Sequence, residues 1–248
     1  MTEAMQVPSE NGAEALLRVE GLSVGYGGQP IVNEVNLRAA AGQITALVGL
    51  NGAGKSTLLK GIAGVLRPSE GKVILEGTRV EDRPAEGMIR LGMSYVPQLR
   101  NVFGSLTVYE NLEMGGYILK GGLKRKIDEV LHLFPDLAAA LRRPARTLSG
   151  GQSHMLAIAR GLMVDPKVLL LDEPMAGLSP LAEKSVRERI HAVNGAGVAV
   201  LIVDQNVRAA LKNADWGYVL ALGRNAEEGP GASLLESDII GNLFTGAA

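Results

Sequence analysis

Apolar and polar residues change period several times along this chain, and the changes divide it into segments. Leu17-Arg-Val-Glu-Gly-Leu-Ser-Val24 and Ile31-Val-Asn-Glu-Val-Asn-Leu37 carry strand-like apolar content on either side of Gly25-Tyr-Gly-Gly28, which predicts an antiparallel β-layer. Ile44-Thr-Ala-Leu-Val48 is a β-branched run that feeds a glycine-rich turn, and Thr57 to Ala63 then repeats at helical spacing. Val168-Leu-Leu-Leu171 and Val198 to Val203 are apolar throughout and flank a helical pattern from Pro180 to Val193, the alternation of a parallel sheet buried on both faces. From about Val102 to Leu162 the pattern turns helical, with segments at Thr107 to Leu119, Leu123 to Phe134 and Ser149 to Leu162, broken at Pro135 and Pro144. Trp216 to Leu222, turning at Gly223-Arg-Asn225, predicts a closing hairpin followed by a short helix. The expected fold is therefore α/β: a parallel sheet with an N-terminal antiparallel layer, and a helical subdomain over about 101–162 inserted between core segments 16–100 and 163–248. Residues 1–15 read as a flexible tail.

Composition narrows the chemistry. A net charge of -1 removes any bulk electrostatic attraction to nucleic acid, so no such partner is expected. With no cysteine, disulfides, thiolate metal sites and cysteine nucleophiles are excluded, and the only histidines are His132, His154 and His191. No apolar run reaches the roughly 18 residues needed to cross a bilayer. Met1 to Glu14 has neither the basic nor the apolar region of a secretory signal, which points to the cytosol. The basic clusters Lys124-Arg-Lys126 and Arg142, Arg143 and Arg146 read first as solvated faces, with anionic lipid or permease loops as the alternative.

Gly49-Leu-Asn51-Gly52-Ala53-Gly54-Lys55-Ser56 fits the G-x-x-x-x-G-K-[ST] pattern between a strand and a helix. Glycines there let backbone N–H groups turn inward around the α- and β-phosphates of a nucleotide, while the next helix presents its N-terminal partial charge to the same anion. Lys55 then reaches the β- and γ-phosphates, and Ser56 offers a hydroxyl to Mg²⁺. Asp172 and Glu173 follow the apolar strand at 168–171, where a parallel sheet gathers its ligands. Asp172 suits Mg²⁺, directly or through water; Glu173 suits the water that attacks the γ-phosphorus. A strand-end turn with two solvated acids is the plainer alternative. Ser149 and Gln152 of Leu148-Ser149-Gly150-Gly151-Gln152 fit an S-x-x-Q capping box. That box leaves unexplained two glycines in a first helical turn, each about 1 kcal/mol worse than alanine, unless a ligand approaches the backbone.

In this order the segments Gly49 to Thr57, Leu148 to Gln152 and Val168 to Glu173 resemble the ATP-binding cassette ATPases, over nearly the whole chain from Leu17 onward. The resemblance implies ATP and Mg²⁺ as ligands, with Thr57 completing the phosphate loop. It implies that Tyr26 stacks on adenine and that Gln98, in Tyr95-Val-Pro-Gln98, senses Mg²⁺ and the attacking water. It also implies a head-to-tail dimer, with itself or a paralogous ATPase, in which Ser149 to Gln152 of one chain close over the phosphate loop of the other. The helical insertion would dock on membrane permease subunits, placing the chain peripherally on the cytoplasmic face of the inner membrane.

Two positions depart from the family pattern. Gln205 stands where a switch histidine is usual; it cannot act as a cation or proton carrier, but its amide can donate to a γ-phosphate oxygen. Ser179 stands where many relatives have an aspartate that couples the two ATP sites. The runs Met155 to Arg160, Gly177 to Pro180 and Val203 to Asn206 are similar to the smaller ATPase of branched-chain amino acid importers, which work with an extracellular solute-binding protein. Urea and short-chain amide importers share these runs, and a weakly hydrolysing regulatory cassette is the further alternative. Cassettes of translation and of DNA repair are disfavoured, because neither a second cassette nor a long coiled-coil insertion is present.

Overall fold

The computed structural model describes residues 15–98, 102–238 and 240–241. The tail expected over 1–15 falls on residues outside that range, apart from Ala15, which already pairs with Ala40. The chain runs β1 (Ala15–Tyr26), β2 (Gln29–Ala40), β3 (Ile44–Val48), α1 (Lys55–Ile62), β4 (Glu70–Leu75), β5 (Thr78–Arg79), α2 (Ala85–Arg90) and β6 (Met93–Val96). Then come α3 (Val108–Gly115), α4 (Leu123–Leu133), α5 (Pro135–Ala138), a 3₁₀ turn at Ala145–Thr147 and α6 (Gly150–Leu162). It closes with β7 (Val168–Asp172), α7 (Pro180–Gly195), β8 (Ala199–Asp204), α8 (Val207–Lys212), β9 (Trp216–Ala221), β10 (Arg224–Pro230) and α9 (Gly231–Leu234).

Two sheets result. The antiparallel layer has the order β2-β1-β4-β5, and the second sheet has the order β10-β9-β3-β8-β7-β6, parallel except at β10. Every residue of β3, β7 and β8 is buried, as parallel strands covered on both faces require. One core fills the space between the two sheets and α1, with Leu22, Leu47, Leu58, Val73 and Leu170 in it. The second lies on the opposite face of the parallel sheet, where Val108, Leu112, Ile127, Phe134, Leu156 and Ile190 from the helices meet Leu169, Leu171 and Val200. Full burial of each such side chain contributes about 1.5–3 kcal/mol, so the helical segment is held to the strands that carry the site.

Helix starts follow the sequence. Thr107 caps α3 and Ser149 caps α6, each completing a reciprocal capping box, with Glu110 and Gln152 respectively. Helix α3 stops at Gly115 rather than at Leu119. There Gly115 and Gly116 pack so closely that a Cβ on Gly116 would lie 2.7 Å from Leu123 Cδ1.

Candidate functional site

The register of the parallel strands gathers the site at one sheet edge. Val48 at the end of β3 lies beside Asp204, and Asp172 at the end of β7 lies beside Val203, so three strands release their chains toward one point. Between β3 and α1 the loop is shaped by Gly52 at φ 81° and Gly54 at φ 99°, left-handed positions that favour glycine. Gly49 is required by packing: a Cβ there would stand 2.3 Å from the Leu220 carbonyl oxygen. Asn51 is exposed at the loop tip, while Ala53, Lys55 and Thr57 are buried at the base of the helix.

Helix α1 begins with no side-chain cap and no acid in its first turn. Its leading N–H groups and its positive dipole end are thus available to an anion from outside the chain. Lys55 Nζ donates to the carbonyls of Gly49 at 2.8 Å and Leu50 at 3.0 Å, so the ammonium is held inside the loop. Burial lowers the Lys55 pKa, against the opposing pull of Glu173, Asp172 and Asp204. An anion such as a phosphate, placed beside that desolvated ammonium, would favour its charged form.

Ser56 Oγ donates to Asp172 Oδ1 at 2.8 Å across 116 residues of sequence. The pair offers only oxygen donors, the set a hard divalent cation takes. Among the described residues no group of three or more histidine, cysteine or acidic side chains is placed to hold a metal. Mg²⁺ therefore fits here only if phosphate oxygens and water complete its shell, which is how that cation is usually bound. Asp172 Oδ2 accepts from Tyr95 Oη at 3.2 Å. Burial and the nearby Asp172 charge push the Tyr95 pKa well above its ordinary value, so the phenol remains a donor.

Glu173 is 8% exposed and sits at φ 48°, a left-handed conformation uncommon for a residue with a side chain. Its Oε2 accepts two amide hydrogens, from Gln98 Nε2 and from Gln205 Nε2, each at 2.7 Å. Burial raises the Glu173 pKa, with Lys55 acting in the opposite direction and Asp172 and Asp204 adding to the rise. Asp204 is also buried and shifted upward by burial, and its Oδ1 accepts from Asn206 N at 2.8 Å.

The loop, Asp172, Glu173, Gln98 and Gln205 thus form one connected cluster. Tyr26 is half-exposed at the end of β1, with its hydroxyl 3.3 Å from Lys60 Nζ on α1. Ser149 and Gln152 bond to each other, at 3.1 and 3.2 Å, and take no part in the network around Glu173. Gly151 has a packing reason that the sequence did not reveal: a Cβ there would lie 3.0 Å from Ala182 Cβ, whereas one on Gly150 would meet only the flexible end of Leu178, at 3.3 Å. Ser179 caps α7 through the Ala182 amide. Tyr95 and Asp204 are the site residues that sequence reasoning passed over, since their place depends on strand pairing.

A nucleotide-shaped phosphate loop on this sheet defines a P-loop ATPase cassette. The chain belongs to the ABC transporter family, whose profile matches residues 32–176. It is 40% identical to the high-affinity branched-chain amino acid transport ATP-binding protein BraG of Pseudomonas aeruginosa, over 93% of this chain and 100% of that protein. The probable branched-chain amino acid transport ATP-binding protein LivF of Archaeoglobus fulgidus is 41% identical, covering 93% and 99% of the two chains. A crystal structure of the ADP conformation of an ATP-binding cassette of an ABC transporter superposes with a TM-score of 0.85 at 26% identity, over 94% of this chain and 99% of that one. The protein is accordingly an ATP-binding cassette ATPase that couples hydrolysis to transport. Among the described residues no helix is long and apolar enough to cross a membrane.

Proposed function

We propose that this chain is the ATP-hydrolysing subunit of an importer for branched-chain or other hydrophobic amino acids. The observation that carries the chemistry is the meeting of Ser56 and Asp172 at 2.8 Å, with buried Glu173 next in sequence and Lys55 in the loop alongside. In this reading the N–H groups of Gly52 to Ser56 surround the β-phosphate, and Lys55 Nζ exchanges its carbonyl partners for β- and γ-oxygens. Ser56 and Asp172, with Gln98, would hold Mg²⁺. The chemistry that cation supplies is neutralisation of charge on the β- and γ-phosphates. Glu173 takes a proton from water as the water oxygen bonds to the γ-phosphorus and the bond to the ADP oxygen breaks, leaving ADP and phosphate. Gln205 swings one amide hydrogen to a γ-phosphate oxygen while keeping the other for Glu173, which an NH₂ with two hydrogens permits. Tyr26 covers the adenine.

The partners follow from the same reading. Two cassettes pair head to tail, so that Ser149 to Gln152 of one close the nucleotide site of the other, and the helical segment meets membrane permease subunits on the cytoplasmic face. The amino acid assignment rests on the likeness to BraG and LivF. Co-purification of the tagged chain from membranes, followed by hydrolysis assays with the accompanying solute-binding protein, tests it. Stimulation of ATP turnover by leucine-type ligands is expected; stimulation by urea or a short amide alone overturns the solute assignment.

A further inference from the structure

We propose that Tyr95 is a positioning residue of the cation site: its hydroxyl holds Oδ2 of Asp172 while Ser56 holds Oδ1, which fixes the plane of that carboxylate. The inference rests on the reading of Asp172 and Ser56 as the cation-binding pair. β6 runs parallel to β7 with Tyr95 beside Leu170 and Val96 beside Leu171, so the phenol reaches forward along the neighbouring strand to the acid at its end. Its ring packs against the core between the sheets, and its hydroxyl lies 3.2 Å from Asp172 Oδ2. A phenylalanine would fill the same apolar space, so packing alone leaves the hydroxyl without a purpose.

The geometry supplies one. A carboxylate gripped through one oxygen pivots about its Cβ–Cγ bond; donors on both oxygens stop the rotation and leave the remaining lone pairs aimed in fixed directions. The same segment serves both acids, since Gln98, three residues on, donates to Glu173 at 2.7 Å. Strand β6 and its exit therefore set the cation ligand through Tyr95 and the adjacent acid through Gln98.

Removing an outer-shell partner of a metal ligand typically weakens metal affinity 10–100-fold, and the length of this bond puts the expectation near the lower end, about tenfold. The test uses the full chain and a fluorescent, slowly hydrolysed ATP analogue, titrated in EDTA and then over a range of Mg²⁺. In Tyr95→Phe, affinity in EDTA is expected to stay within about twofold of wild type, while the half-saturating Mg²⁺ concentration rises about tenfold. A half-saturating Mg²⁺ concentration within twofold of wild type, or an equal loss in both arms, overturns the assignment and leaves Tyr95 a packing residue. A wild-type chain that binds the analogue without any response to Mg²⁺ would instead bring down the Asp172–Ser56 reading on which this one stands.

Discussion

Replacing Glu173 by glutamine tests the proposed base with little change of shape. The amide keeps an oxygen able to accept from Gln98 and Gln205, both at 2.7 Å in the wild type, so the cluster should hold together. What disappears is the site for the proton of the attacking water. General bases contribute typically 10²–10⁴-fold, which at about 1.4 kcal/mol per decade is roughly 3–5 kcal/mol of the barrier. Nucleotide binding should survive, because Lys55 and the loop amides are untouched and one negative charge near the phosphates has gone. The fold should not suffer either. A carboxyl whose pKa is raised on folding holds its proton to higher pH in the native than in the unfolded state, so stability is lost as pH climbs from the unfolded value to the folded one, and the full penalty stands above it. At neutral pH and above, Glu173→Gln is therefore expected to melt at or above the wild-type temperature. The assay is ATP turnover by the complex assembled with its membrane partners, alongside equilibrium ATP binding and thermal denaturation. Turnover within about threefold of wild type would refute the base assignment, since a general base typically contributes about a hundredfold or more. Loss of ATP binding together with turnover would show that the acid holds the nucleotide.

Gln205 carries no titratable proton, so kcat/KM should fall with a single acidic limb as pH drops through the Glu173 value; Gln205→His should add a second limb around pH 6.5, and an unchanged profile would contradict its place beside the base. Gln205→Ala removes a charge-assisted hydrogen bond of about 1.5–3 kcal/mol, so turnover should drop roughly 10–150-fold, read in the same complex. Gly54→Ala puts a Cβ 2.8 Å from Val32 Cγ2 at φ 99°. It should lower the melting temperature by at least about 2–4 °C, from about 1 kcal/mol or more of backbone strain, and weaken ATP binding; an unchanged melting curve would show that the loop is not held in this conformation.

Legibility in the sequence tracked how local each feature is. The phosphate loop, the strands at Ile44–Val48 and 168–171, the start of α3 near Thr107 and the capped start of α6 were readable because consecutive residues determine them. The antiparallel layer grew from two expected strands to four, since β4 has apolar burial only at Val73–Leu75 and β5 has two exposed residues. Helices α2 and α8, six residues each, are too short to show a helical period above noise. The double amide grip on Glu173 and the Tyr95 contact to Asp172 join residues 75, 32 and 77 positions apart, and no spacing rule spans such distances. The glycines at 150 and 151 carried a ligand argument in the sequence, and tertiary packing against Ala182 supplies a competing reason for Gly151.

In the proposed function Lys55 is the cation that grips the terminal phosphates. Its Nζ is buried, held by two loop carbonyls, and a charge-assisted bond to phosphate is worth about 1.5–3 kcal/mol. Isothermal titration of Mg-ATP into wild-type and Lys55→Ala chains should show Kd weakened roughly 10–150-fold in the variant. Equal affinities in two folded proteins would contradict the central claim.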